Sequence, residues 1–222
     1  MANYLRIPVL FLVIMCSLNL ASSKAFAPVS ADSTDSTVTE TQTVQFISSP
    51  QEHIHEVSFW GGYSIGSPHL WGKTRDVSMQ YFGMRYNRKF LNFYGTEVEY
   101  MFKISIYSEF SYPMFVKGRP RNSISGFGIT PLGFQINFRD DKTIQPFLNT
   151  TGGFVFLNQP FPDRRGKKFN FTFGIAGGIE IMLSHSVSLS LGLRYHHLSN
   201  GELGQVNPGI DSSIFYTAIT LF

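Results

Sequence analysis

The chain has almost no cysteine: Cys16 is its only one, and it falls in an apolar run near the N-terminus. Once that run is removed, no thiol is left and no disulfide can hold the mature chain. Charge is also scarce. Charged residues make up 15% of the sequence and the formal net charge is +3, too mild to mark a nucleic-acid partner. The Ala-, Glu-, Lys- and Leu-rich runs of helical domains are missing too. The apolar run itself, residues 7–20, follows Arg6 and ends in Ala-Ser-Ser-Lys-Ala-Phe-Ala. It is too short and wrongly flanked for a spanning helix. A basic start, a short apolar stretch and a small-residue exit describe a secretory signal peptide instead. Cleavage is expected after Ala27, with Ala25 as the second candidate. Cys16 lacks the small residues that precede a lipid-modified cysteine, which excludes a lipoprotein.

What is abundant is aromatic and glycine content: 15% aromatic, with 22 Phe and 20 Gly among 222 residues. That composition reads as all-β, and the length suits one domain with a sizeable core. Residues 28–52 are rich in Ser, Thr and acidic side chains and read as a flexible leader. An extra edge strand around residues 43–47 is the alternative. The folded domain is expected over residues 53–222.

Eight segments of alternating polarity follow: 55–65, 76–87, 91–107, 123–138, 143–157, 168–183, 186–197 and 211–222. In the seventh, Val187, Leu189, Leu191, Leu193 and Tyr195 oppose Ser186, Ser188, Ser190, Gly192 and Arg194. A soluble sandwich would bury the apolar face; a membrane barrel would turn it to lipid. Periodicity alone leaves both open. The connections decide. Long ones (66–75, 108–122, 158–167, 198–210) alternate with short ones near 88–90, 139–142 and 184–185. Long loops at one end and tight turns at the other are the outer-membrane pattern. The reading is therefore all-β, an eight-stranded antiparallel transmembrane β-barrel of outer-membrane type. Its interior is filled by side chains, so it offers no wide pore. Phe222, closing an alternating strand, fits the end signal read by barrel insertion machinery.

The chemistry concentrates in residues 194–211, Arg-Tyr-His-His-Leu-Ser-Asn-Gly-Glu-Leu-Gly-Gln-Val-Asn-Pro-Gly-Ile-Asp. Residues i and i+2 of a strand share a face, so His197 and Ser199 sit side by side. They continue the lipid-facing stripe of Val187–Tyr195 at the outer end of the seventh strand. A turn through Asn207, Pro208 and Gly209 can return Asp211 to them. A hydroxyl needs a base to become a nucleophile, and the base needs an orienting group. Ser199, His197 and Asp211 supply those roles; Glu202 is the reserve acid. Asn207, Asn200 and the Gly201 N–H are candidates for stabilising an oxyanion, although Asn-Gly and Asn-Pro are also ordinary turn formers. In the eighth strand Ile214, Tyr216, Ala218 and Thr220 are expected to face lipid. That parity turns Asp211 inward, so a bulge or loop position must bring it back. His196 is expected to point inward beside Arg194. His53, His55, His69 and His185 show no metal-ligand spacing, and no metal or cofactor is expected. Basic residues gather in the outer connections: Lys73 and Arg75; Lys117, Arg119 and Arg121; Arg164, Arg165, Lys167 and Lys168. As a set they suit an anionic partner in the outer leaflet.

The pattern His197, Ser199, Asn200, then Asn207-Pro208-Gly209, then Asp211 resembles the outer-membrane lipid A 3-O-deacylases, or acyloxyacyl hydrolases. The resemblance extends more loosely to residues 126–133, Pro146, Gly152-Gly153, residues 169–178 and the aromatic C-terminus. It implies an eight-stranded barrel that removes the acyl chain ester-linked at the 3-position of lipid A. It implies Ser199 as nucleophile, His197 as base and Asp211 as acid, and it favours Asn207 for the oxyanion. The family's best-known members carry Glu at the acid position, so the shorter Asp211 must be brought closer. Implied partners are lipopolysaccharide and the surrounding outer-membrane lipid, with a second copy of the barrel as a further candidate. A non-catalytic adhesin-like barrel and a phospholipase-like barrel esterase are the competing readings.

Overall fold

The computed structural model describes residues 54–113, 121–140, 142–207 and 209–222. The expected signal peptide and leader lie outside the described residues, as do His53, Lys117, Arg119 and Pro208. The described chain forms eight strands: β1 (His55–Gly66), β2 (Ser78–Phe93), β3 (Thr96–Pro113), β4 (Arg121–Phe138), β5 (Ile144–Phe161), β6 (Lys167–Ser184), β7 (Val187–Ser199) and β8 (Ile210–Leu221). Each pairs antiparallel with the next, and β1 pairs with β8, which closes the barrel. Closure satisfies every strand's backbone and leaves no edge to lipid, the condition for a sheet in a bilayer. The expected alternation of long and short connections holds except that residues 139–143 and 162–166, which join β4 to β5 and β5 to β6, are equal in length. Several strands run further than the sequence suggested, so the β5–β6 connection shrinks to residues 162–166.

Outside and inside follow the pleat. Phe59, Phe82, Ile104, Phe127, Phe134, Ile175, Leu193 and Phe215 are exposed on the outer wall, the apolar band that lipid requires. The inner wall is polar and packed. Arg85 lies wholly inside; its Nε and Nη2 donate to Ser58 Oγ at 3.1 and 3.0 Å, and its Nη1 to Gln135 Oε1 at 3.4 Å. Glu99 accepts from Asn87 and from Asn137 Nδ2. These side chains fill the lumen, in keeping with eight strands.

Two expectations need correction. The turn placed near residues 88–90 lies at Tyr94-Gly95, where φ is 49° and 72°. Two successive positive φ values are the geometry of a two-residue hairpin, and glycine adopts its share without strain. The polar run Asn87-Arg88-Lys89 looked like a break because it is charged. Instead Lys89 turns inward, its Nζ 3.3 Å from Glu56 and 3.1 Å from Glu97.

The second correction concerns β8. Ile214, Tyr216, Ala218 and Thr220 are buried inside the barrel, while Phe215 and Leu221 face outward. The parity is the reverse of the expected one, because both faces of this strand carry apolar side chains. The register decides it: β7 and β8 pair without interruption from Val187↔Leu221 to Leu198↔Ile210, odd with odd. Asp211 therefore shares the outward face of His197, and no bulge between β7 and β8 is needed.

Candidate active site

The site is built where β7 and β8 reach their outer ends. His197 and Asp211 are direct cross-strand partners. Such partners hold their Cβ atoms about 4.5–5.5 Å apart, so an aspartate is long enough here. His197 Nδ1 stands 2.7 Å from Asp211 Oδ1. Ser199 lies two residues further along the same face and is half-buried. Among the described residues it makes no hydrogen bond to His197; in sites of this kind that bond often tightens only when substrate is in place.

Asp211 points outward yet is fully buried. The connection between β1 and β2 folds over it. The backbone N–H groups of Leu70, Trp71 and Gly72 each donate to Asp211 Oδ2 at 2.8 Å. Ser67 Oγ donates to the Asp211 carbonyl at 2.9 Å, and Thr74 N donates to Gly209 O at 3.1 Å, which pins the connection down. Tyr195 Oη donates to Oδ1 at 2.9 Å, the same oxygen that faces His197. Three successive N–H groups form an anion-binding concavity, and a donor set of this kind matches the ionised carboxylate. Gly72 is required at its place: a Cβ there would lie 2.8 Å from Asp211 N. The Trp71 ring stands edge-on to His197, centroids 5.5 Å apart, and borders Phe173 and Tyr195 at 5.7 and 5.9 Å. An imidazole beside an apolar, lipid-facing wall is thus oriented from one side by a charge that the loop keeps out of water.

The remaining predicted residues shape the β7–β8 connection. Asn200 is fully buried; its N donates to Asn207 Oδ1 at 3.0 Å and its Nδ2 to Val206 O at 2.8 Å. Asn207 Nδ2 donates to Glu202 Oε1 at 3.2 Å. Gly201 and Glu202 both take positive φ, 60° and 63°. Glu202 is therefore engaged within the loop, and the carboxylate at His197 is Asp211. Of the basic residues, Arg121 pairs with Asp76 at 2.9 Å and Arg165 with Asp163 at 2.7 Å. Hydrogen bonding from Arg165 holds the exposed Asp163 carboxyl below its usual range. Sequence reasoning missed Tyr195 and the Leu70–Trp71–Gly72 backbone. Tyr195 carried a signal, since it precedes His197 by two on one strand face. The backbone donors carried none beyond Gly72 itself.

A family model described as lipid A 3-O-deacylase (PagL) matches residues 80–220, a span that includes His197, Ser199 and Asp211 but not the β1–β2 connection. Among solved structures, the outer membrane enzyme PagL is similar at 17% identity and a TM-score of 0.54, covering 73% of this chain and 97% of that one. The outer membrane protein OprG from Pseudomonas aeruginosa is 9% identical, with a TM-score of 0.48 and coverage of 75% and 94%. Neisserial surface protein A is 13% identical, with a TM-score of 0.44 and coverage of 75% and 96%. No curated protein matches the chain. The first of these structures shares the barrel fold; the activity follows from the family model, which spans well over half of the sequence. The chain belongs to the lipid A 3-O-deacylase family and is an outer-membrane β-barrel ester hydrolase acting on lipid A.

Proposed function

We propose that the barrel cleaves the acyl ester at the 3-position of lipid A with Ser199 as nucleophile, His197 as general base and Asp211 as the orienting acid. The observation that carries this reading is the 2.7 Å contact of His197 Nδ1 with Asp211 Oδ1 on the face that Ser199 shares. With Nδ1–H donated to Asp211, the His197 Nε2 lone pair is left for the Ser199 hydroxyl. Ser199 Oγ attacks the acyl carbonyl as Nε2 takes its proton. The imidazolium, held by Asp211, then gives that proton to the departing sugar oxygen. Water, activated by the same nitrogen, attacks the acyl-serine and frees the fatty acid. The oxyanion is received by the Gly201 N–H and the Asn207 side-chain amide. Asn200 is assigned a structural part instead, because it is fully buried with its side-chain N–H closed onto Val206 O, whereas Asn207 is half-buried and keeps a second N–H beyond its contact with Glu202.

Placement supports the substrate class. The nucleophile sits at the outer end of an apolar stripe, where acyl chains of the outer leaflet meet their head groups. Lys73 and Arg75 follow directly on the residues that grip Asp211, within reach of a phosphorylated sugar. The test is mass spectrometry of purified lipopolysaccharide incubated with Ser199→Ala and His197→Ala barrels folded in detergent. Both variants should lose acyl release while keeping the fold. Release at the wild-type rate by both would place the chemistry elsewhere, and release from phospholipid but not lipid A would reassign the substrate.

A further inference from the structure

A second feature lies on the opposite side of β7, inside the barrel, and is independent of the ester chemistry. A cavity of about 30 Å³ opens in the lumen, enough for a pair of waters or one small ion. Lys103, Arg194 and His196 line it together with Trp60, Thr130 and Thr151. Among the described residues no aspartate or glutamate does. Lys103 and His196 are each more than nine-tenths buried. Among the described residues Arg194 donates to neutral oxygens alone, Thr151 Oγ1 at 3.0 Å and Asn149 Oδ1 at 3.1 Å. Lys103 has the Trp60 ring beside it, 5.5 Å from Nζ to centroid, and no carboxylate within 4 Å among the described residues. The buried carboxylates of the lumen, Glu56, Glu97, Glu99 and Glu180, bond instead to Lys89, Asn87, Asn137 and Ser188. Two further groups in the cavity wall have no partner: Trp60 Nε1 and His196 Nδ1 are both buried without a hydrogen bond among the described residues.

A buried cation without a counter-charge is among the costliest arrangements a protein can hold. Here two stand in one cavity, beside the unpartnered Trp60 indole N–H and the Thr130 hydroxyl. Every one of these is a donor. We infer that the lumen binds a small monovalent anion of chloride size at this point, held by Lys103 and Arg194 with the Trp60 N–H. The anion would complete the charge balance of the interior that the carboxylates provide elsewhere.

The experiment uses the full barrel folded in detergent, melted in sodium chloride or in sodium gluconate at the same ionic strength. Gluconate is too large for the cavity. Chloride should raise the melting temperature by about 2–4 °C, the shift expected of a ligand that binds only the folded state. Lys103→Met should abolish the difference between the two salts. Bromide in crystals of the unaltered barrel should give an anomalous peak beside Lys103 Nζ, a readout that needs no variant to fold. Equal melting in both salts with no bromide peak would overturn the site, leaving water and an uncharged Lys103 as the cavity's content. A chloride effect that survives in Lys103→Met would likewise refute it, since the ion would then bind elsewhere.

Discussion

At the scale of single residues, Asp211 is the position where chemistry and structure meet most tightly. Asp211→Asn keeps the size but makes one of the two oxygens an amide nitrogen. In one orientation that NH₂ faces the three backbone donors of the β1–β2 connection; in the other it faces His197 and Tyr195. The three backbone N–H groups cannot turn away, so the second orientation is the one adopted, and the imidazole loses its acceptor and its tautomer. Acyl release should fall by about 10³–10⁴-fold, measured as kcat on purified lipopolysaccharide, with heat-modifiable migration showing an intact barrel. Tyr195→Phe removes one donor and nothing else. One hydrogen bond to a charged group is worth about 1.5–3 kcal/mol, so a loss of roughly 10- to 100-fold in kcat with unchanged KM is expected. The side chains proposed for the chemistry could be named from sequence, because His197, Ser199 and Asp211 carry distinctive functional groups at a distinctive spacing. The donors that hold the acid were not, because a backbone N–H is the same in every residue but proline.

At the scale of elements, the β1–β2 connection is a working part of the site and not a surface loop. Gly72→Val would drive a branched side chain into Asp211 N, where even a Cβ lies at 2.8 Å. It should abolish most activity and leave melting of the barrel nearly unchanged, since the β1–β2 ladder stops before the connection begins. Activity retained in that variant would separate this connection from the site. Strand number and the long–short rhythm of the connections were legible because lipid imposes alternation on every strand. Strand ends were less so. β2 runs through Arg88 and Lys89, whose charges mimic a turn until Lys89 is seen paired with Glu56 and Glu97 of the two neighbouring strands. The parity of β8 was lost for a related reason: Ile214 and Phe215 are both apolar, so only pairing with β7 tells inside from outside. That pairing depends on a ten-residue connection whose register no local pattern reveals.

At the scale of the whole molecule, the barrel joins an apolar outer wall to a polar, charged filling. Leu193 lies midway along β7 on the lipid face, 57% exposed in the absence of lipid. Leu193→Arg should destabilise the folded barrel by about 2–4 kcal/mol in bilayers, read from urea unfolding in lipid vesicles, and by much less in detergent, where the belt is thin and pliable. The seam between β1 and β8 has a further consequence. The proposed catalytic acid belongs to the last strand, while the hydrogen bonds that steady it come from the chain just beyond the first. On the proposed assignment, a half-made sheet has all the reactive groups and none of the arrangement. Hydrolysis would then switch on only when the two ends of the chain meet, so a precursor in transit could not attack the lipids it passes.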